Sequence, residues 1–183
     1  MNKFQVAKPL LEKIGAASSL LATYRPIQLL APTEMVFGFS AAMMNAWVNG
    51  ELVSCGNGCV GSENVGYFGT VTTLTAALAS AAAGWYTSQK EGGIFLGKMP
   101  VMLGGNGAFG VLGLIVLLLP VEAFYGSFAM LLPLYMLQGL GRGIFESTNK
   151  AVIADYCPGA RAEAGFASFV ILSGSASTLM FFL

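Results

Sequence analysis

MPVMLGGNGAFGVLGLIVLLLPV, residues 99–121, runs for 23 residues without one charged side chain. A helix of that length spans about 35 Å, more than a hydrocarbon core about 30 Å thick. Pro100 sits where a first helical turn tolerates a missing N–H, and Pro120 stands at the exit. Three further charge-free runs, 64–89, 123–141 and 164–183, hold 26, 19 and 20 residues. Working outward from them, the sequence predicts an all-α, polytopic membrane helix bundle of about five spans: 27–48, 65–86, 99–119, 124–147 and 164–183. The first opens with Pro26 and Pro32 and is interrupted by Glu34. Pro133 lies inside the fourth, where it predicts a bend.

Composition agrees with a lipid solvent. The chain of 183 residues is 55% hydrophobic, with a mean hydropathy of +0.70 and nine charges of each sign. That is too apolar and too sparsely charged for an ordinary solvated surface. The zero net charge leaves no basic face for nucleic acid. Histidine, the commonest general base and metal ligand, is absent from the sequence, so no Ser-His-Asp set is available, and no carboxylate dyad is evident. The expectation is a non-enzyme without metal or cofactor, whose first partner is the lipid bilayer.

Orientation follows from Lys and Arg in the connections. Four precede the first span (Lys3, Lys8, Lys13, Arg25), none lies in the next loop, two follow (Lys90, Lys98), then none, then two (Lys150, Arg161). The alternation predicts a cytoplasmic N-terminus and a chain end on the opposite side. Trp47, Tyr67 and Tyr125 fall at the outer span ends, and Tyr24, Trp85, Tyr86 and Tyr156 at the inner ones, the headgroup level that amphipathic rings favour. Residues 1–24 mix Lys3, Lys8, Glu12 and Lys13 with a loose apolar stripe and read as an amphipathic lead-in at the membrane surface, with a disordered or targeting segment as the alternatives. The membrane domain is 25–183.

Glycines and intramembrane polar groups carry the finer expectations. Gly104, Gly105, Gly107, Gly110 and Gly113 in the third span, and the Gly139/Gly143 pair in the fourth, predict close helix packing rather than a phosphate loop. Glu34, Asn45, Asn106, Gln138, Arg142, Glu146, Asn149, Lys150 and Asp155 lie in or beside spans, where an unpaired polar group is costly. Arg142, Glu146 and Lys150 are four apart, so they read as one self-neutralising strip or as a substrate-contacting one. Glu34 and Arg142 have compatible depths. Two arrangements follow: a gating cluster of Glu34, Arg142 and Glu146 with Glu34 as its proton-sensitive member, or Arg142 paired within its own span while Glu34 reaches interfacial water. Asn45, Gln138 and Asn149 are candidate cavity lining. Cys55 and Cys59 bracket Gly56-Asn57-Gly58 in the predicted outer loop and read either as a small disulfide or as two free thiols.

LQGLGRGIFESTNKA at 137–151, followed by Ala154-Asp155-Tyr156, resembles the major facilitator superfamily, in its uncoordinated-ninety-three-like branch, named for a potassium-channel regulator. Leu29-Leu30-Ala31-Pro32 leading to Gly38-Phe39, and Val65-Gly66-Tyr67, add to the likeness. The resemblance implies twelve helices in two six-helix halves around an alternating-access cavity, with the five spans here corresponding to helices seven to eleven. It also implies a basic loop between the second and third helices of each half. Gly84 to Lys98 stands in that position but lacks the Asp and paired Arg of the full motif. Because Met180-Phe181-Phe182-Leu183 is still apolar, a fragment whose N-terminal half and twelfth helix lie elsewhere is expected, or else a subunit packed on another membrane protein. Two functions remain open: a facilitator-type transporter of a small solute or ion, and a non-transporting regulator of a channel or receptor.

Overall fold

The computed structural model describes residues 14–56, 58–88 and 97–182. Among them there is helix and no strand. α1 (Ile14–Thr23) leads into α2 (Arg25–Met43), which continues as a π-helical stretch over Met44–Val53. α3 (Val65–Ser88) and α4 (Lys98–Leu118) follow. α5 (Phe128–Ile144) passes through a π turn, Phe145–Asn149, into α6 (Lys150–Tyr156), and α7 (Ala162–Phe181) closes the order. Arg25–Val53, Ser62–Ser88, Lys98–Leu118, Phe128–Tyr156 and Ala162–Phe181 are each long and apolar enough to cross a membrane.

The five predicted spans are all present, with different ends where turn chemistry or π geometry intervenes. The first runs on to Val53 instead of stopping near 48, because the π-helical stretch carries it past Glu51. The fourth starts at Phe128 instead of 124. Val121–Ala123 form a 3₁₀ turn after Pro120, Gly126 adopts φ +63°, and Ser127 caps the helix by accepting from the Met130 N–H. It then extends to Tyr156, and Pro133 lies inside α5.

Burial runs opposite to that of a water-soluble protein. Leu29 is 80% exposed, Leu117 79% and Leu78 64%, while Glu34, Gln138, Asn149 and Ser168 are buried. An apolar exterior around polar interhelical contacts is favourable when the surrounding solvent is hydrocarbon. The apolar core lies where the end of α2 meets the beginnings of α3 and α5: Met44, Val48, Leu52, Phe68, Leu131 and Leu134 are buried there, and Phe68 stacks on Tyr135 at 4.6 Å.

Helix pairing is organised by small residues. α2 packs along α7, α3 along α5, and α4 against α5. A Cβ at Gly139 or Gly143 would overlap the Thr72 or Ala76 carbonyl oxygen of α3, and one at Gly38 would overlap the Ser173 carbonyl of α7. The Gly139/Gly143 expectation therefore holds, and it brings Ser80 Oγ close enough to donate to the Gly143 carbonyl at 2.8 Å. The third-span glycines need correcting. Gly105 receives the Ile144 side chain, just as Gly141 opposite receives the Phe109 ring, but Gly104, Gly107, Gly110 and Gly113 have nothing within 4 Å of a Cβ position. Gly107 and Gly110 are exposed, while Gly104 borders an open groove with Leu140 and Ile144 of α5, and Gly113 borders one with α2.

The charged part of the lead-in, with Lys3, Lys8, Glu12 and Lys13, lies outside the described residues. Its end, α1, is docked on the bundle: Ala17 is fully buried and its carbonyl accepts from Ser168 Oγ at 3.1 Å, while Tyr24 donates to the Tyr156 carbonyl at 2.7 Å.

Candidate functional site

A groove of about 960 Å³ opens between α2, α3 and α5. Its polar lining comes from Asn45 and Asn49 on the π-helical end of α2, Thr70 and Thr73 on α3, and Tyr135, Gln138 and Arg142 on α5. The α5 residues are spaced three and four apart, which keeps them on one helical face. Inside the groove wall, Ser40 donates to Gln138 Oε1 at 2.6 Å and Tyr135 donates to Asn49 Oδ1, so both bonds tie α2 to α5. Thr72 donates to the Tyr135 carbonyl at 3.2 Å and ties α3 to the same helix.

Arg142 and Glu146 form a salt bridge, Nε to Oε1 at 2.8 Å, with side chains 47% and 42% exposed. Lys150 does not extend the strip, because its ammonium stands over the Phe169 ring of α7, 6.0 Å from the centroid. The expected Glu34–Arg142–Glu146 cluster is not formed. Glu34 is 2% exposed and accepts from Asn149 Nδ2 at 2.7 Å. The reason lies in the π turn. In an unbroken α-helix Asn149, seven residues on, would stack above Arg142. Five π-helical residues wind roughly a quarter turn less, which takes Asn149 off the Arg142 line and into the bundle. The alternative expectation is half met: Arg142 pairs within its own span, but Glu34 does not reach interfacial water.

Of the residues singled out in the sequence, Asn45, Gln138 and Arg142 meet in the groove, whereas Glu34 and Asn149 meet behind it. Asn106 bonds Thr33 at 3.0 Å and lies beside Asn149 around a small void. Asp155 pairs with Lys98 and ties α6 to the start of α4. The polar groove residues that sequence reasoning left out are Asn49, Thr70, Thr72, Thr73 and Tyr135. Asn49 follows Asn45 by four, and Tyr135 stands alone among the tyrosines in mid-span, so both carried a weak signal.

Cys55 and Cys59 are joined by a disulfide with a Cα–Cα distance of 5.7 Å, and Cys157 is free and buried. Burial pushes the Cys157 thiol up from its ordinary value, and the nearby Arg161 charge draws it part of the way back. Among the described residues no group of three His, Cys, Asp or Glu side chains gathers to hold a metal. Family models, curated proteins and solved structures were each compared with the chain, and none matches it.

Proposed function

We propose that this chain is a multi-pass membrane protein that forms part of a facilitator-type transporter and moves a small polar solute or ion through the groove between α2, α3 and α5. The observation that carries the reading is a half-exposed arginine in a groove whose lining includes several uncharged hydrogen-bonding side chains, within a bundle that exposes many large apolar side chains. Such lining offers donors and acceptors to a solute that leaves water. The helix pairing supports it too. If α2-α3-α4 is one repeat and α5 and α7 begin a second, the first helix of each packs on the second helix of the other, the exchange expected of inverted repeats. On this reading the groove is one wall of a cavity completed by another half. A second reading, a non-transporting subunit or regulator, draws on the outer face of α4, where Gly104, Gly107 and Gly110 leave room for another helix backbone.

One experiment separates them. Asn45→Cys and Thr73→Cys, each in a background with the native cysteines replaced by serine, are labelled with a membrane-impermeant maleimide while solutes are screened for protection. Transport predicts a solute that slows labelling at both positions and enters proteoliposomes, with uptake cut about tenfold, or about 1.4 kcal/mol, by Arg142→Gln. Cysteines that no solute protects, with uptake no faster than in protein-free vesicles, would reject transport in favour of the subunit.

A further inference from the structure

Behind the groove the bundle contains a polar pair with too few hydrogen-bond donors. Glu34 is 2% exposed and Asn149 1%. The single bond between them, Asn149 Nδ2 to Glu34 Oε1, leaves Glu34 Oε2 and Asn149 Oδ1 buried with no partner. Both orphans are acceptors. Turning the amide over would set its oxygen against the carboxylate, so the shortage of donors survives either assignment.

Among the described residues no neighbouring cation makes up the deficit. On α2 and the elements packed around Glu34 the charged groups are the exposed Arg25 at the start of α2 and Glu51 in its π-helical end, Arg142 on α5, Glu146 in the π turn, Lys150 and Asp155 on α6, Lys98 on α4, and Arg161 and Glu163 at the start of α7. Arg142 is bonded to Glu146, Lys98 to Asp155, Lys150 stands over Phe169, and Arg161 stands over Tyr24. A void of about 10 Å³ lies against the Asn149 member of the pair, lined also by Asn106 and Thr33 among glycines and apolar side chains, room for one water-sized species.

We propose that Glu34 and Asn149 bind one exchangeable monovalent cation, a proton or Na⁺. The two share the needed chemistry, a single positive centre that closes lone pairs on Glu34 Oε2 and Asn149 Oδ1. A proton held on Oε2 donates to Oδ1 and completes an acid–amide ring with the bond already present. A sodium ion takes the same two oxygens and draws on Thr33 and Asn106 beside them. The site is close to the groove. Phe37, which lines the groove, stacks at 3.8 Å on Phe145, which lines the void, so one aromatic pair separates them. A role in coupling cation to solute rests on the transport reading above, but the site itself does not.

The test therefore uses the purified protein in detergent with no solute present. Thermal unfolding is followed by Trp47 and Trp85 fluorescence while Na⁺ replaces choline at constant ionic strength, at one acid and one alkaline pH. A site for Na⁺ predicts a saturable rise of about 5–10 °C in Tm on adding Na⁺ at alkaline pH. A site for a proton predicts a rise of that size on acidification in choline, with Na⁺ inert. Either response disappears in Glu34→Gln, whose amide N–H₂ supplies the missing donor permanently. A wild-type Tm indifferent to both ions, or the same response in Glu34→Gln, overturns the proposal. If that variant does not fold, carbodiimide modification of Glu34 in the wild type, mapped by mass spectrometry, decides instead. Protection by Na⁺, or a rate that rises with acid, supports the site, and one rate under every condition overturns it. Absence of uptake in proteoliposomes would remove the transport reading and leave these results standing.

Discussion

Replacing Gly143 by alanine tests the packing on which the groove depends. The new methyl group would meet the Ala76 carbonyl, which belongs to a backbone and cannot rotate away, so α3 and α5 must part locally. Overpacking of this kind costs about 1–3 kcal/mol. Separation also stretches the Ser80-to-Gly143 bond, an interhelical contact worth about 0.6 and up to about 1.7 kcal/mol in a membrane bundle. Alanine's better helix propensity returns about 1 kcal/mol. The net expectation is a loss of about 1–3 kcal/mol, or about 2–12 °C in Tm for a chain of this size. The control is Gly104→Ala on α4, where a Cβ meets nothing within 4 Å. It keeps the propensity gain and leaves Tm unchanged or up by as much as about 4 °C. Cys157 is a built-in reporter. It is free and buried, and the chain's other two cysteines are bonded to each other, so a fluorogenic maleimide reads its exposure on unfolding. Variants are compared at one scan rate. Equal melting of Gly143→Ala and Gly104→Ala would refute the close-contact interface.

Three further outcomes are expected. In double-mutant cycles Glu34→Gln and Arg142→Gln add within about 0.5 kcal/mol because the two side chains bond to different partners, whereas Glu34→Gln and Asn149→Leu deviate by more than that; coupling in the first cycle would restore the charge cluster. Non-reduced peptide mapping finds Cys55 linked to Cys59, and Cys157 alkylates slowly in the native state and faster as pH rises, because burial raises its thiol and keeps the thiolate scarce at neutral pH; alkylation of Cys55 and Cys59 without reductant, or a native Cys157 rate independent of pH, would count against this. Single cysteines introduced at Lys3 and Ser88 label from one face of the membrane and one at Ser62 from the other, as the Lys/Arg alternation requires; labelling of all three from one face would sink that topology.

Much of the bundle was legible because its solvent leaves a plain imprint. Four charge-free runs, and an apolar stretch interrupted by Glu34, located the five spans, with the largest miss at the end of the fourth, which extends to Tyr156 and not 147, since a helix in hydrocarbon needs length and few charges and little else. Gly139 and Gly143 were legible as an interface for a related reason: two glycines four apart in an apolar helix open a strip on which a neighbouring backbone can lie. The same reasoning overreached in the third span. Glycine spacing shows where a helix is thin but not which side faces a neighbour, and only Gly105 turned inward to a close contact.

The amino-acid sequence by itself determined that the chain is helical, that five segments are fit to cross a membrane, and which polar residues have to find partners inside it. Which partners they found was decided by tertiary structure. Glu34 bonds Asn149 and not Arg142 because the π turn at Phe145–Asn149 rotates one face of the span against the other, and no residue within it announces the change from four-residue to five-residue hydrogen bonding. Likewise Asn45, Asn49, Thr73, Tyr135 and Gln138 share a groove only once α2, α3 and α5 are laid side by side. The spacing of residues along one helix fixes a face. A site built from three helices depends also on their axial offsets and rotations, which are set by contacts far apart in the chain.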